Sequence, residues 1–108
     1  MLQISNIDEL NEVILNNPIV LLYFSTQKCN VCKTLKPKVQ SMLANYPNAV
    51  SRYIDLEKFT EVTGKYTVFS IPTIIVLIDG KEYIRESRHF SLFELEQKIQ
   101  RYYVMFYS

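Results

Sequence analysis

The sequence predicts an α/β domain in which a central mixed β-sheet carries helices on both faces. Three observations predict it. Short, β-branched apolar runs alternate along the chain with apolar stripes of helical period. The last two strand-like runs are joined by Asp79-Gly80, a strong short hairpin signal. Gly occurs twice and Pro four times in 108 residues, which leaves little room for long loops or linkers. The whole chain, residues 1–108, therefore reads as one domain.

The first helix is signalled by Asn6 with Glu9 three residues later, followed by Ile7, Leu10 and Ile14 at helical spacing. Asn16-Asn17-Pro18 ends it. Ile19 to Phe24 is a continuous apolar run, short enough to be a strand buried on both faces. Leu35, Val39, Met42, Leu43 and Tyr46 then form one helical stripe, with Lys and Gln opposite. Pro37 lies inside that pattern and is expected to kink the helix. Tyr46-Pro47-Asn48 closes it.

Residues 50 to 55 read as a second strand. Residues 57 to 66 read as a short helix and turn, with Gly64 near the end. Thr73 to Ile78 is the next strand, paired through the hairpin with residues 81 to 85. Ser91 and Glu94 form a capping box. Leu92, Leu95, Ile99 and Tyr102 then mark a final amphipathic helix. Strands of both kinds of connection in this order imply one sheet with parallel and antiparallel pairs, covered on both sides.

Composition narrows the function. The chain is 48% apolar and 21% charged, so it can bury a core. A net charge of +1 argues against a nucleic-acid partner, which normally calls for a large basic excess. No apolar run approaches the roughly 20 residues of a membrane helix, so no membrane partner is expected. The start, Met1-Leu2-Gln3-Ile4-Ser5-Asn6, lacks the basic and oily stretches of a signal peptide, which points to the cytoplasm. The eight Tyr and six Phe read mainly as core.

Chemistry concentrates at Cys29-Asn30-Val31-Cys32, between the buried strand and the long helical stripe. Residues three apart at a helix start share a face, with Cβ atoms roughly 5–6 Å apart. A disulfide needs about 3.8 Å, a gap that a tightened first turn can close. Free N–H groups and the macrodipole place partial positive charge beside Cys29. That favours the thiolate, which is the attacking species. Cys29 is thus the candidate nucleophile, and Cys32, one turn in, the candidate resolving thiol.

Between Glu12 and Asp55 the chain has no acidic residue, while Lys28, Lys33, Lys36, Lys38 and Arg52 fall inside that stretch. Lys28 and Lys33 flank the motif and are candidates for electrostatic tuning of the thiol. The basic stretch also suggests acidic targets. Two other readings stay open for the cysteines. They could be an inert buried pair, or half of a zinc site. A closed zinc site needs four ligands, and beyond the pair this chain offers one histidine, His89, so no metal is assigned.

Taken together these residues resemble the thioredoxin family. The resemblance runs from about Val20 through the last helix. It rests on the apolar strand ending in Phe24, then Cys29-x-x-Cys32-Lys33, then Pro37, then Ile71-Pro72-Thr73 opening a strand, and Gly80 in the hairpin. It implies the thioredoxin fold and a thiol–disulfide oxidoreductase, acting as a protein-disulfide reductase through a Cys29/Cys32 dithiol–disulfide cycle. It implies no metal or organic cofactor, because the redox-active disulfide itself carries the electrons. The implied partners are disulfide-containing client proteins and a flavin-dependent thioredoxin reductase as electron donor. It further implies a cis peptide bond before Pro72, with Ile71 and Pro72, joined by Asn30 and Val31, forming the substrate-binding surface.

The departures are specific. The family's usual Trp-Cys-Gly-Pro-Cys is here Lys28-Cys29-Asn30-Val31-Cys32, and the chain has no Trp. The family's buried Asp, thought to aid proton transfer at the resolving cysteine, falls on Tyr23. Ser70 stands where glycine usually precedes the Ile-Pro pair, and another family glycine maps close to Arg88. The last two changes alter the substrate groove, and the missing Trp, Gly-Pro and Asp motivate a second reading: a thioredoxin-like partner-binding or redox-sensing module with little reductase turnover. Residues 102–107 are oilier than a helix stripe requires. They read as a tail folded onto the sheet edge or adjoining helix, with Tyr102 and Phe106 continuing the core face. The alternative is a self-association patch that would turn an expected monomer into a dimer.

Overall fold

Every residue of β1 (Ile19–Ser25) is buried, and that strand organises the molecule. A computed structural model describes residues 1–107. The elements in chain order are α1 (Ile7–Asn16), β1, α2 (Asn30–Leu43), β2 (Ala49–Asp55), α3 (Thr60–Lys65), β3 (Thr73–Ile78), β4 (Lys81–Ser87) and α4 (Leu92–Tyr107). The strands lie in the order β2-β1-β3-β4. β1 runs parallel to β2 and antiparallel to β3, and β3 is antiparallel to β4.

Side chains alternate across a strand, so β1 feeds two cores. Ile19, Leu21 and Tyr23 pack with Val39 and Met42 of α2 and with Leu95 and Ile99 of α4. Val20, Leu22 and Phe24 pack on the opposite face with Leu10 and Val13 of α1 and Val62 of α3. Burying one such side chain contributes about 1.5–3 kcal/mol, so β1 is pinned from both sides. The site follows from this, because the chain leaves β1 at a fixed point and enters α2 a few residues later.

The local signals mostly act as the sequence suggests. The Asn6 side chain caps α1 by accepting from the Glu9 N–H at 2.8 Å. Ser91 Oγ accepts from the Glu94 N–H at 3.2 Å at the start of α4. The hairpin turns with positive φ at both Asp79 and Gly80, as a two-residue primed turn requires. β4 runs two residues further than the pattern predicts, to Ser87, and a bulge interrupts its register at Val76/Leu77. α2 continues on both sides of Pro37, with Val39, Met42 and Leu43 buried. The N-terminal segment adds a short parallel bridge from Gln3 to Tyr53, which periodicity does not reveal.

The C-terminal segment corrects an expectation. Residues 102–107 are not a folded-back tail but the last turns of α4. They contain no Gly or Pro to stop a helix, so the helix continues. Phe106 is exposed rather than on the core face. Tyr103, which the stripe leaves without a place, packs edge-on against Tyr46, and its hydroxyl accepts from the Asn48 N–H at 3.3 Å. Tyr102 meets Tyr83 of β4. Among the described residues no helix is long and apolar enough to cross a membrane.

Candidate active site

The motif sits where β1 hands over to α2. Cys29 is the N-cap of α2, with extended backbone, and Asn30 is the first helical residue. The two sulfurs are bonded, and the Cα atoms are 5.2 Å apart. The Cys32 N–H donates to Cys29 Sγ at 3.1 Å, so the outer sulfur already occupies the anion-favouring end of the helix.

The two cysteines differ sharply in exposure. Cys29 is half-buried, whereas Cys32 is 1% exposed. Asn30 and Val31 between them are exposed, as are the flanking Lys28 and Lys33. The Ile71–Pro72 peptide bond is cis, as the resemblance implies. Ile71 is half-buried, Pro72 is buried, and the ladder of β3 begins only at Thr73. Ile71 packs against the same core cluster as Cys29. Thr73 Oγ1 donates to the Ser70 carbonyl at 2.6 Å, which ties the turn before the proline to the strand after it.

Beneath the pair lies Tyr23, fully buried. Its hydroxyl donates to the Cys32 carbonyl at 2.6 Å. Its ring stacks on Tyr53, the parallel-register partner on β2. Burial, reinforced by the neighbouring Tyr53, pushes the Tyr23 phenol up to about 12. At neutral pH it is therefore a permanent donor and not a base. The position is readable from the sequence, but the carbonyl it grips is not. That contact depends on how far α2 reaches over β1.

The basic stretch divides in three dimensions. Lys33 and Lys36 line a small hollow of about 60 Å³ with Cys32, Ser25 and Tyr53. The Lys36 ammonium stands 4.8 Å over the Tyr53 ring. Lys38 instead faces a groove on the other side of α2. His89 also lines that groove. Among the described residues three non-glycine positions, Thr67, Asp79 and Arg88, have left-handed backbone. The two flanking the cis-proline segment are anchored. Arg85 donates to the Tyr66 and Thr67 carbonyls while pairing with Glu82, and the Arg88 N–H donates to the Pro72 carbonyl at 2.8 Å.

A bonded cysteine pair at a helix start and a cis-proline turn packed on the same core of a mixed sheet define a class, and comparison places the chain within it. The thioredoxin family model matches residues 2–101, and the chain belongs to that family. It is 34% identical over 85 residues to the thioredoxin-like protein YdfQ of Bacillus subtilis, covering 79% of this chain and 76% of that one. A mutant thioredoxin from Halobacterium salinarum superposes with a TM-score of 0.84 at 27% identity, covering 94% of this chain and 88% of that one. Thioredoxin from Fasciola hepatica gives 0.83 at 27% identity, covering 94% and 98%. The chain spans about half the length of some plant thioredoxins it matches. Family, fold and bonded pair together support a thiol–disulfide oxidoreductase.

Proposed function

We propose that the chain works as a protein-disulfide reductase. The observation that carries this reading is the asymmetry of the pair: an accessible sulfur at the helix mouth and a buried one behind it. In the reduced form the Cys29 thiolate attacks one sulfur of a client disulfide. The client S–S bond breaks, a mixed disulfide forms, and one client thiolate leaves and takes a proton. The Cys32 thiolate then attacks Cys29 Sγ, and the second client sulfur leaves and is protonated. Two electrons pass to the client, and Cys29–Cys32 closes.

The other site residues take supporting roles. Ile71, held off the ladder by cis-Pro72, offers its backbone to an extended client segment. Asn30 and Val31 form the exposed surface beside the sulfurs. Lys28 and Lys33 add positive potential that favours the thiolate. With Tyr23 in place of an acid, proton exchange at Cys32 runs through water in the adjoining hollow. A flavin-dependent thioredoxin reductase is the proposed donor and the cytoplasm the proposed compartment. No metal or organic cofactor enters the cycle.

Reduction of a protein disulfide, followed with a working donor system, tests this reading. Wild type turns over, and Cys29→Ser abolishes turnover. Equal inactivity of the two overturns the reductase reading. It would favour the alternative, a binding or redox-sensing module, for which the missing tryptophan and the tyrosine under Cys32 are the supporting observations.

A further inference from the structure

We propose that the groove between α2 and the β4–α4 corner is a client-specificity subsite that takes a polypeptide segment carrying a carboxylate beside its disulfide. This rests on the reductase reading and names the substrate class it prefers. The groove is shallow and open, with a volume of about 750 Å³. That is within the range of about 300–1,000 Å³ typical of ligand clefts. One wall is Val31, Leu35 and Lys38 of α2, and the other is Arg88, His89 and Phe90. Val31 lies between the two cysteines in sequence, so the groove borders the motif without including either sulfur.

The floor is apolar, since Leu35 and Phe90 are half-buried and pack on the core. The rim is basic. Among the described residues neither Lys38 nor Arg88 pairs with a carboxylate, while Arg85 is bound to Glu82 and Lys98 to Glu86. Glu94 also lines the groove, on the first turn of α4, so two free cations face one anion. A carboxylate from a client completes that balance, and the apolar floor accepts its neighbouring side chain.

The placement of Arg88 adds a second argument. Its φ is +57°, a conformation that suits glycine and strains an L side chain. Its N–H is nevertheless fixed to the Pro72 carbonyl. A long, exposed cation is thus held at a strained position, against the segment that would receive the client. Strain retained at a clamp is a common mark of a binding position. Lys33 and Lys36 belong to the hollow on the Tyr53 side, so the proposed acid preference rests on Lys38 and Arg88.

Two disulfide peptides of equal length, one with acidic and one with basic flanking residues, test the assignment. The readout is the ratio of their kcat/KM values, each normalised to a small uncharged disulfide. Wild type favours the acidic peptide about fivefold at low ionic strength, the scale of one or two exposed ion pairs. The ratio approaches one at about 0.5 M salt, where charges are screened over a few ångströms. Lys38→Glu combined with Arg88→Glu reverses it. Arg88→Gly, which suits the backbone, lowers it about twofold. Lys81→Glu, at the far end of β4, changes the net charge by more than Arg88→Gly does and keeps the wild-type ratio. A wild-type ratio of one, or an equal drop in Lys81→Glu and Arg88→Gly, overturns the groove assignment while the reductase reading stands. Failure to reduce even the small disulfide removes both.

Discussion

Cys29 and Cys32 lie one helical turn apart in opposite surroundings. Around Cys32 the surroundings are buried, with one small hollow beside it: Tyr23 grips its carbonyl, Tyr23 stacks on Tyr53, and Cys32 is 1% exposed. Around Cys29 the surface is open. Asn30, Val31, Lys28 and Arg88 are exposed, and Phe69, two residues before Ile71, is 91% exposed. The two surroundings divide the labour. The buried side holds geometry, where a lost hydrogen bond is felt throughout the core. The open side is where side chains can change without disturbing the fold, as the proposed recognition of clients requires.

The largest effect comes from separating the two sulfurs. Cys32→Ser leaves the attacking group but removes the resolving one, so the first step proceeds and the mixed disulfide persists. Mass spectrometry after exposure to a client finds the covalent adduct in Cys32→Ser and none in Cys29→Ser. An adduct in Cys29→Ser alone would reverse the roles and break the comparison.

The buried side sharpens next. Tyr23→Phe keeps the ring and removes the donor, while the Cys32 carbonyl keeps its place in the hydrogen-bond ladder of α2. A loss of about 0.5–1.5 kcal/mol follows, read as a lower urea midpoint at unchanged slope. An unchanged midpoint would mean the bond does not stabilise the fold.

A smaller effect is read from pH. The unfolded Tyr23 phenol ionises near its ordinary value of about 10. The folded one waits until about 12. Below about pH 10 both states hold the proton and this phenol gives no pH dependence. Between that point and the folded value the unfolded state binds fewer protons, so stability falls as pH rises. Burial also raises the Tyr46 and Tyr66 phenols, so Tyr23→Phe flattens this fall without removing it. Denaturant unfolding at stepped alkaline pH measures it.

The two sides also differ in how legible they are in the sequence. β1 and β3 announce themselves through β-branched runs, and Asp79-Gly80 announces the turn, because burial and φ demand those residue types. The motif and the Ile71-Pro72 pair are readable as an ordered pattern. The contacts that complete the site are not. Tyr23 reaching the Cys32 carbonyl, Arg88 bonded to Pro72, and the split of Lys36 from Lys38 depend on tertiary placement, which no local period encodes. The end of α4 escapes sequence reading for a related reason. Aromatic residues at 102–107 exceed one stripe, yet Tyr103 finds Tyr46 across the fold.

The proposed chemistry depends on an outer sulfur held ready as thiolate and an inner one held back. Alkylation of the reduced protein by iodoacetamide across pH, with the modified cysteine identified by mass, tests this most directly. Modification is expected at Cys29 first, with its rate half-maximal below the free-thiol value of about 8.5. Modification of Cys32 first, or a midpoint at or above that value, would contradict it.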